Sequence, residues 1–255
     1  MPRYFLEIAY TGTAYSGFQT QLNANTIQAE AEKALSVFYR TRFELTGSSR
    51  TDAGVHALQN YFHFDADAAI LPKHVYNINA ILPADIVIKK IIPVKAGAHC
   101  RFDAISRTYK YFITQNKNPF VLNTAYYYPY TLSLDRLNTL AQIAMEYTDF
   151  SSFSKRNTQV KNFLCSIKTS EWLIENDCFV YHVSANRFLR GMVRALTGTM
   201  LRVARSNSEN TEQAFRKIIE AKDCTMADFS VPPHGLFLLR VDFAEGYYND
   251  ICSDT

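Results

Sequence analysis

The chain has few of the residues that hold small proteins together covalently or through structural metals. Its 255 residues include five cysteines, an odd number, scattered along the sequence without a Cys-x-x-Cys pair. This spacing argues against a disulfide framework and against a zinc ribbon, and it is typical of a reducing compartment. Tryptophan occurs only once, yet the hydrophobic content of 47% is enough for a sizeable core. The length suits one large domain or two modest ones.

Long apolar runs are also absent. No stretch approaches the roughly 20 residues that a membrane-spanning helix needs. Charged residues appear within the first seven positions, so the start is not expected to be a signal peptide. We therefore expect a soluble cytoplasmic protein with no membrane contact.

The net charge is low but unevenly distributed. The total of +3 comes from 27 basic and 24 acidic residues. Residues 86–120 hold seven Lys and Arg against one acid, residues 154–205 hold nine against three, and residues 206–255 hold four against nine. If the two basic segments meet in space, they form a strongly positive surface. Solvated faces on opposite sides of the molecule are the more common arrangement, and charge counts leave both open.

Hydrophobic periodicity divides the chain into two similar halves. In the first, the pattern predicts a strand over 3–10, a helix over 26–39, strands over 42–46 and 59–64, a helix from Pro72 and a strand over 85–94. Asn25 and Gln28 have the spacing of a capping box at the first helix. In the second, it predicts strands over 107–115, 160–172, 178–184 and 236–242 and helices over 133–147, 188–205 and 210–221, with a hairpin turn at 175–177.

Both halves follow the order β-α-β-β-α-β, with one extra helix in the second. The predicted fold is therefore α+β, with two ferredoxin-like (split βαβ) lobes formed by residues 1–104 and 105–255. Their sheets are expected to join edge to edge and to leave a basic cleft between the lobes, because ligand sites favour such junctions.

The segment 50–57, with the sequence Arg-Thr-Asp-Ala-Gly-Val-His-Ala, is the most informative. Asp52 is expected on a loop between two strands, where catalytic residues are often mounted, and Gly54 leaves room for a flat ligand. A cation beside a lone carboxylate lowers its pKa by about 1–3 units, which favours a nucleophile over a general base. The alternative from these residues alone is an ordinary turn in which Gly54 has a positive φ.

A second segment is rich in arginine. A helix over 188–205 would place five arginines within about a third of its circumference, namely Arg187, Arg190, Arg194, Arg202 and Arg205. Guanidinium groups bind phosphates through paired hydrogen bonds. An exposed basic face is the alternative, and we expect it for Arg202 and Arg205. Arg190 and Arg194 are expected to be partly buried, with Asp52 as a candidate partner.

A third segment places tyrosines on a strand. Tyr109 and Tyr111 follow Arg107 and share one face, because side chains alternate along a strand. A tyrosine beside a basic cleft can stack on a nucleobase, which contributes about 1–3 kcal/mol per base. The alternative is that both tyrosines are core residues, and we expect this of at least one.

Together these segments resemble the tRNA pseudouridine synthase A family. The similar motifs lie at residues 10–19, 50–57, 99–102, 107–111, 149–153, 188–194 and 234–236. They follow the family's order over nearly the whole chain. The 50–57 motif is highly specific, whereas the others would be weak alone.

The resemblance implies an isomerase that converts uridine to pseudouridine in the anticodon stem-loop of tRNA, at positions 38–40, with neither metal nor cofactor. It also implies a homodimer in which one tRNA contacts both subunits. The target base must leave the helical stack, at a cost of a few kcal/mol. The carboxylate then attacks either the sugar C1′ or the base C6.

The same resemblance implies roles for individual residues. Asp52 corresponds to the nucleophile and Arg194 to its salt-bridge partner. Tyr109 corresponds to the residue that stacks on the target base and assists proton transfer. The remaining implied substrate-binding residues are Arg50, which holds the flipped nucleotide, Arg107 and Arg190.

The chain departs from the family pattern at two places, and two other functions compete. Phe18 stands where the family usually has Trp, which still allows apolar packing, and Ser48-Ser49 replaces a small-Gly pair. These changes are expected to affect substrate positioning rather than the reaction. One rival is an RNA-binding module without catalysis, against which the intact Asp52 argues. The other is a metal site formed by His56, His63 and Asp52, against which it counts that Asp52 and His56 flank a glycine on a loop. His56 is expected to be a packed or capping residue.

Overall fold

The protein is described here from a computed structural model, which describes residues 1–67, 69–156, 160, 162–206 and 210–247. Within these ranges the chain forms nine strands and five α-helices, which confirms the predicted α+β class. It divides into two compact units. The first comprises residues 1–105 together with the chain from 238 onward, and the second comprises residues 106–237. Among the described residues, none of the helices has the length and apolar character needed to cross a membrane.

The order of elements in each unit is the predicted one, including the extra helix of the second half, with one additional short strand, β6, in the second unit. The first unit contains β1 (Arg3–Tyr10), α1 (Ile27–Tyr39), β2 (Thr46–Gly47), β3 (His56–Asp65), α2 (His74–Asn79) and β4 (Ile86–Val94). The second contains β5 (Ser106–Thr114), β6 (Tyr126–Tyr127), α3 (Leu134–Met145), β7 (Ile167–Glu175), β8 (Cys178–Ala185), α4 (Met192–Arg205) and α5 (Thr211–Glu220). The last strand, β9 (Leu236–Asp242), has most of its residues in the first unit.

In the first unit, β1 lies between β3 and β4 and pairs antiparallel with both, while β2 pairs antiparallel with β3. Helix α1 buries Ile27, Ala31 and Leu35, as its periodicity predicted. Its N-cap is Thr26 rather than Asn25, because the Thr26 hydroxyl accepts a 3.3 Å hydrogen bond from the Ala29 N–H. The predicted capping box at Asn25 is therefore wrong by one residue.

The predicted strand over 42–46 is mostly wrong. Only Thr46–Gly47 pairs as a strand. Upstream, the N–H of Phe43 donates to Ser36 Oγ at 3.2 Å, and the N–H of Leu45 donates to Glu32 Oε1 at 2.9 Å. Side chains of α1 therefore take backbone donors that a longer strand would use in its ladder. Helix α2 is likewise shorter than predicted, since it begins at His74 rather than Pro72.

The second unit places β8 between β5 and β7, antiparallel to both. The predicted hairpin turn is confirmed, because Asn176 and Asp177 both have positive φ, 50° and 60°, as a two-residue hairpin turn requires. Strand β7 begins at Ile167, seven residues later than predicted, and residue 161 lies outside the described residues. Trp172, the single tryptophan, is buried and stacks on Tyr181 at 5.1 Å between ring centroids.

The helix predicted over 188–205 begins at Met192. Gly191 precedes it as the N-cap with φ +77°, in the left-handed region. A glycine inside an apolar, helix-like pattern gave no sequence signal for this break. Arg187 and Arg190 therefore lie before the helix, and the predicted stripe of five arginines is wrong. Only three arginines lie on α4, namely Arg194, Arg202 and Arg205.

Candidate active site

Asp52 lies on the loop between β2 and β3, as predicted, and is partly buried. The loop contains a turn in which the Val55 N–H donates to the Asp52 backbone oxygen at 3.2 Å. Gly54 occupies the third position of this turn with φ +77°. Since the turn uses the backbone oxygen of Asp52, it is compatible with a chemical role for the carboxylate.

A buried network of polar side chains fixes the backbone of this loop. The hydroxyls of Tyr10 and Thr51 are 2.8 Å apart. Asn60, which is fully buried in β3, donates through Nδ2 to the Ser49 carbonyl at 2.8 Å and to the Tyr10 hydroxyl at 3.3 Å. Buried polar groups that are fully bonded make a site rigid and unique. The sequence patterns did not identify Tyr10, Thr51 or Asn60 as functional residues.

A second brace comes from the segment after β1. The Gly12 N–H donates to His56 Nδ1 at 3.1 Å, and the Phe18 N–H donates to the Thr51 carbonyl at 3.1 Å. A Cβ at Gly12 would lie 2.0 Å from the Val55 oxygen, so only glycine fits there. His56 is 1% exposed. Because its Nδ1 accepts, His56 is the packed and capping residue that the sequence predicted.

Two places depart from the family pattern. Phe18 is bonded to this loop through its N–H, and Ser48-Ser49 lie in the segment that leads into it. Phe18 is buried and stacks on Phe62, with ring centroids 4.5 Å apart and an 8° angle between the planes. This confirms the predicted apolar packing of Phe18. Ser48 and Ser49 are also buried, and their hydroxyls have no hydrogen-bond partner among the described residues. The departure at 48–49 therefore places two unsatisfied hydroxyls in the segment that precedes Asp52.

Tyr109 and Tyr111 differ in their surroundings. Tyr111 is wholly buried and donates to the Pro232 carbonyl at 2.7 Å, and burial raises the pKa of its hydroxyl. It is the core tyrosine that we expected. Tyr109 is also buried, at 8% exposure, but it packs edge-to-face on Phe188, with ring centroids 5.0 Å apart. It therefore contacts the segment that leads into α4.

Two arginines of the second unit are held by backbone oxygens. Arg107 is 9% exposed, and its Nη1 donates to the Asn186 carbonyl at 3.1 Å. Arg194 is partly buried and donates through Nε and Nη2 to the Val231 carbonyl at 2.9 and 2.7 Å. A cation in the first turn of a helix is disfavoured by the helix dipole by about 0.3–1 kcal/mol. Helix stability therefore does not explain the position of Arg194.

The predicted site residues are divided between the units. Arg50 and Asp52 lie on one loop of the first unit, and the second unit carries the others, namely Arg107, Tyr109, Arg190 and Arg194. Within the second unit, Arg107 and Tyr109 both contact the segment before α4, to which Arg190 belongs. Arg190 is exposed, so its predicted partial burial is wrong, whereas that of Arg194 is confirmed. The pairing of Asp52 with Arg194 stays a prediction, as do the individual roles.

The described part of the chain contains no group of side chains arranged as a metal site. No group of three or more His, Cys, Asp or Glu side chains there has the arrangement of a metal site. His56 Nδ1 accepts from Gly12, and His63 Nδ1 lies 3.2 Å from Cys100 Sγ. The Nδ1 atoms of both histidines proposed as ligands therefore have other partners.

Comparison with known proteins decides between the remaining interpretations. Residues 8–103 and 147–244 match the family described as tRNA pseudouridine synthase. The chain belongs to the tRNA pseudouridine synthase family. Its members are isomerases that modify tRNA, as the motifs predicted. The matched stretches include the Asp52 loop and Arg194, whereas Arg107 and Tyr109 lie between them.

Full-length relatives cover that intervening region. The tRNA pseudouridine synthase A of Parabacteroides distasonis is 44% identical over 247 residues, which cover 96% of this chain and 97% of the relative. The protein of the same name from Bacteroides thetaiotaomicron is 42% identical, covering 98% and 94%. That of Staphylococcus aureus is 34% identical, covering 99% and 94%.

Proposed function

We propose that the protein isomerises uridine to pseudouridine in the anticodon stem-loop of tRNA, at positions 38–40, with Asp52 as the nucleophile. The observation that carries this proposal is the Asp52 loop, whose backbone is braced by Tyr10, Gly12 and Asn60. A reacting group must be held close to its productive geometry, and a braced loop meets this requirement. The names of the relatives support tRNA as the substrate.

The reaction needs a nucleophile but no redox partner. The carboxylate of Asp52 forms a bond to the nucleoside, at the sugar C1′ or at the base C6. The bond between N1 and C1′ breaks, the base rotates, and a bond forms between C5 and C1′. The proton on C5 passes to solvent, N1 gains a proton, and the carboxylate is released. Substrate and product therefore have the same composition.

The second unit supplies the other proposed roles. Tyr109 stacks on the target base and assists the transfer of the C5 proton. Arg194 pairs with Asp52 and keeps it ionised, since an adjacent cation favours the charged carboxylate. Arg194 donates through Nε and Nη2 to the Val231 carbonyl, which orients the guanidinium. The proposed RNA contacts are Arg50, Arg107 and Arg190.

The proposal extends to the assembly. We infer two ferredoxin-like lobes that flank a basic cleft, in a homodimer that acts on tRNA in the cytoplasm. Support for the first lobe comes from its strand arrangement, with β1 between β3 and β4 and with β2 paired to β3. Support for the basic cleft is the excess of basic residues over 86–120 and 154–205. The scattered cysteines suit a reducing compartment.

The deciding experiment uses a tRNA transcript labelled with tritium at C5 of uridine. Isomerisation replaces the C5 proton and releases the label into water. We expect release by the unaltered protein and almost none by Asp52→Asn, which has the same shape but lacks the charge. The matched control is Asp67→Asn, an exposed acid of the same unit, which is expected to leave release unchanged.

The rival functions predict other outcomes. Persistent release by Asp52→Asn would contradict the nucleophile assignment. Loss of release on addition of a chelator would favour the metal interpretation. If no label is released by any form although tRNA binds, the protein is an RNA-binding module instead.

A further inference from the structure

The first unit contains a pocket of about 190 Å³, and Arg50 is the only one of its lining residues to which a role is assigned above. Its wall includes two arginines, Arg50 and Arg101, together with His99 and the exposed ring of Phe102. The residues that line it include no Asp or Glu, so its formal charge is positive. Arg50 precedes Asp52 by two residues, which places the pocket beside the candidate nucleophile's loop.

Phe102 forms an exposed aromatic platform at this pocket. The side chain is 73% exposed, although large apolar side chains are usually buried. Its ring lies 4.1 Å from the His99 ring, which in turn lies 4.4 Å from the buried ring of His63. The Arg101 guanidinium lies 5.7 Å from the Phe102 ring. A cation and an exposed ring are thus presented side by side.

The segment that carries this platform is held rigidly. The His99 N–H donates to Asp103 Oδ2 at 2.9 Å, and the Arg101 N–H donates to His99 Nδ1 at 3.2 Å. Tyr247 donates to the same Asp103 oxygen at 2.5 Å. Burial lowers the pKa of His99, so its ring is neutral at pH 7. A neutral ring that accepts at Nδ1 carries its proton on Nε2, as a hydrogen-bond donor.

Size and chemistry together indicate the class of ligand. Pockets for complete small ligands usually measure about 300–1,000 Å³, so this smaller pocket suits one unit of a longer molecule. Two guanidinium groups suit a phosphate, and an exposed ring suits a flat base. A single nucleotide of an RNA strand has both parts.

We propose that this pocket binds a nucleotide adjacent to the target uridine, with its phosphate held by Arg101 and Arg50 and its base stacked on Phe102. The inference rests on the proposed function for the identity of the RNA. The adjacent nucleotide is the one indicated, because Arg50 belongs both to the pocket wall and to the loop of Asp52. Arg101 and Phe102 are therefore binding residues that set the position of the strand.

Stacking is tested by Phe102→Leu, which removes the ring while keeping an apolar side chain. The matched control is Phe120→Leu, because Phe120 is 94% exposed and lies in the other unit. We expect Phe102→Leu to weaken the binding of a tRNA transcript roughly 5- to 150-fold, and Phe120→Leu to leave it unchanged. Equal affinities of the two variants would overturn the stacking role.

The phosphate contact is tested by the salt dependence of binding. Each contact to a phosphate contributes about 0.7–0.9 to the slope of log Kd against log salt concentration. Arg101→Gln is expected to reduce the slope by this amount. Arg42→Gln, which removes an exposed arginine outside the pocket lining, is expected to leave it unchanged. An unchanged slope for Arg101→Gln would show that Arg101 does not contact a phosphate.

The identity of the nucleotide is tested by fluorescence. The tRNA anticodon stem-loop is prepared with 2-aminopurine at each position next to the target uridine in turn, since stacking quenches its emission. One position is expected to be quenched by the unaltered protein and not by Phe102→Leu. If neither shows quenching that depends on Phe102, the proposal is wrong. Binding and quenching need no turnover, so failure of tritium release with quenching intact would overturn the proposed function alone.

Discussion

Protonation of His63 is expected to destabilise the first unit in mildly acidic solution. His63 lies in β3 and is 7% exposed, with its Nδ1 3.2 Å from Cys100 Sγ. Burial lowers its pKa from 6.5 to about 4, and the positive charges of His99 and Arg3 act in the same direction. Asp65 and Asp103 oppose this shift only in part.

The direction in which the free energy of unfolding changes with pH follows from the linkage between proton binding and folding. The unfolded chain takes up a proton at His63 near pH 6.5, whereas the folded chain resists it until about pH 4. Between these values the unfolded state binds more protons, so the free energy of unfolding falls as the pH falls. From pH 7 to pH 4.5 these two pKa values give a loss of about 2 kcal/mol from His63.

The assay is urea unfolding followed by circular dichroism at pH 7 and at pH 4.5. His63→Gln removes the titrating ring, so it is expected to lose about 2 kcal/mol less than the unaltered protein over this interval. The Arg3 hydrogen bond lowers the pKa of Asp65 below 3.8, so its contribution is lost only at more acidic pH. Burial also lowers the pKa of His99. Both proteins contain His99, so its contribution cancels when they are compared. If both proteins lose the same free energy, His63 is not the cause.

Two further predictions concern the braced loop. Asn60→Ala leaves two buried partners without their donor, so we expect the free energy of unfolding to fall by about 2–4 kcal/mol, measured by urea titration. Tritium release should also fall, because the loop of Asp52 loses the hydrogen bond from Asn60 to the Ser49 carbonyl. Full release by a stable variant would show that this hydrogen bond is not needed to position Asp52. Ser48→Ala removes a buried hydroxyl that has no partner among the described residues, so the free energy of unfolding should rise by about 1 kcal/mol. A fall of similar size would show that this hydroxyl is hydrogen-bonded.

Helices and strands were predicted correctly where one hydrophobic periodicity continued through the whole element. Strands β1 and β9 have the predicted bounds, and α3 begins one residue after the Ser133 that was its expected start. In these segments local pattern and tertiary packing agree. Where the two conflict, the pattern fails. The β-prone residues 42–45 are not a strand, because side chains of α1 take their backbone donors.

The candidate site was predictable only as a set of motifs. Asp52 was expected on a loop between strands, and it lies there. The hydrogen bonds that hold this loop were not predictable, because Asn60 is far from Tyr10 in sequence and is one of several polar residues in its strand. The left-handed Gly191 was also hidden, since glycine in a helical pattern does not mark a helix start. The pocket at Phe102 joins segments separated by up to 84 residues, from position 18 to position 102, and no local pattern describes it.

The braced loop shows why eight residues in sequence do not suffice for the site. A carboxylate that attacks carbon must approach along a narrow path, and a loop held only by its own turn would move by more than that tolerance. Here the loop is tied to the sheet by two hydrogen bonds of 2.8 Å, one from Asn60 in β3 to the Ser49 carbonyl and one between the hydroxyls of Tyr10 in β1 and Thr51. Gly12 permits this approach because a side chain there would strike the Val55 oxygen. The position of the Asp52 loop therefore depends on Tyr10 and Asn60, to which the sequence patterns assigned no role.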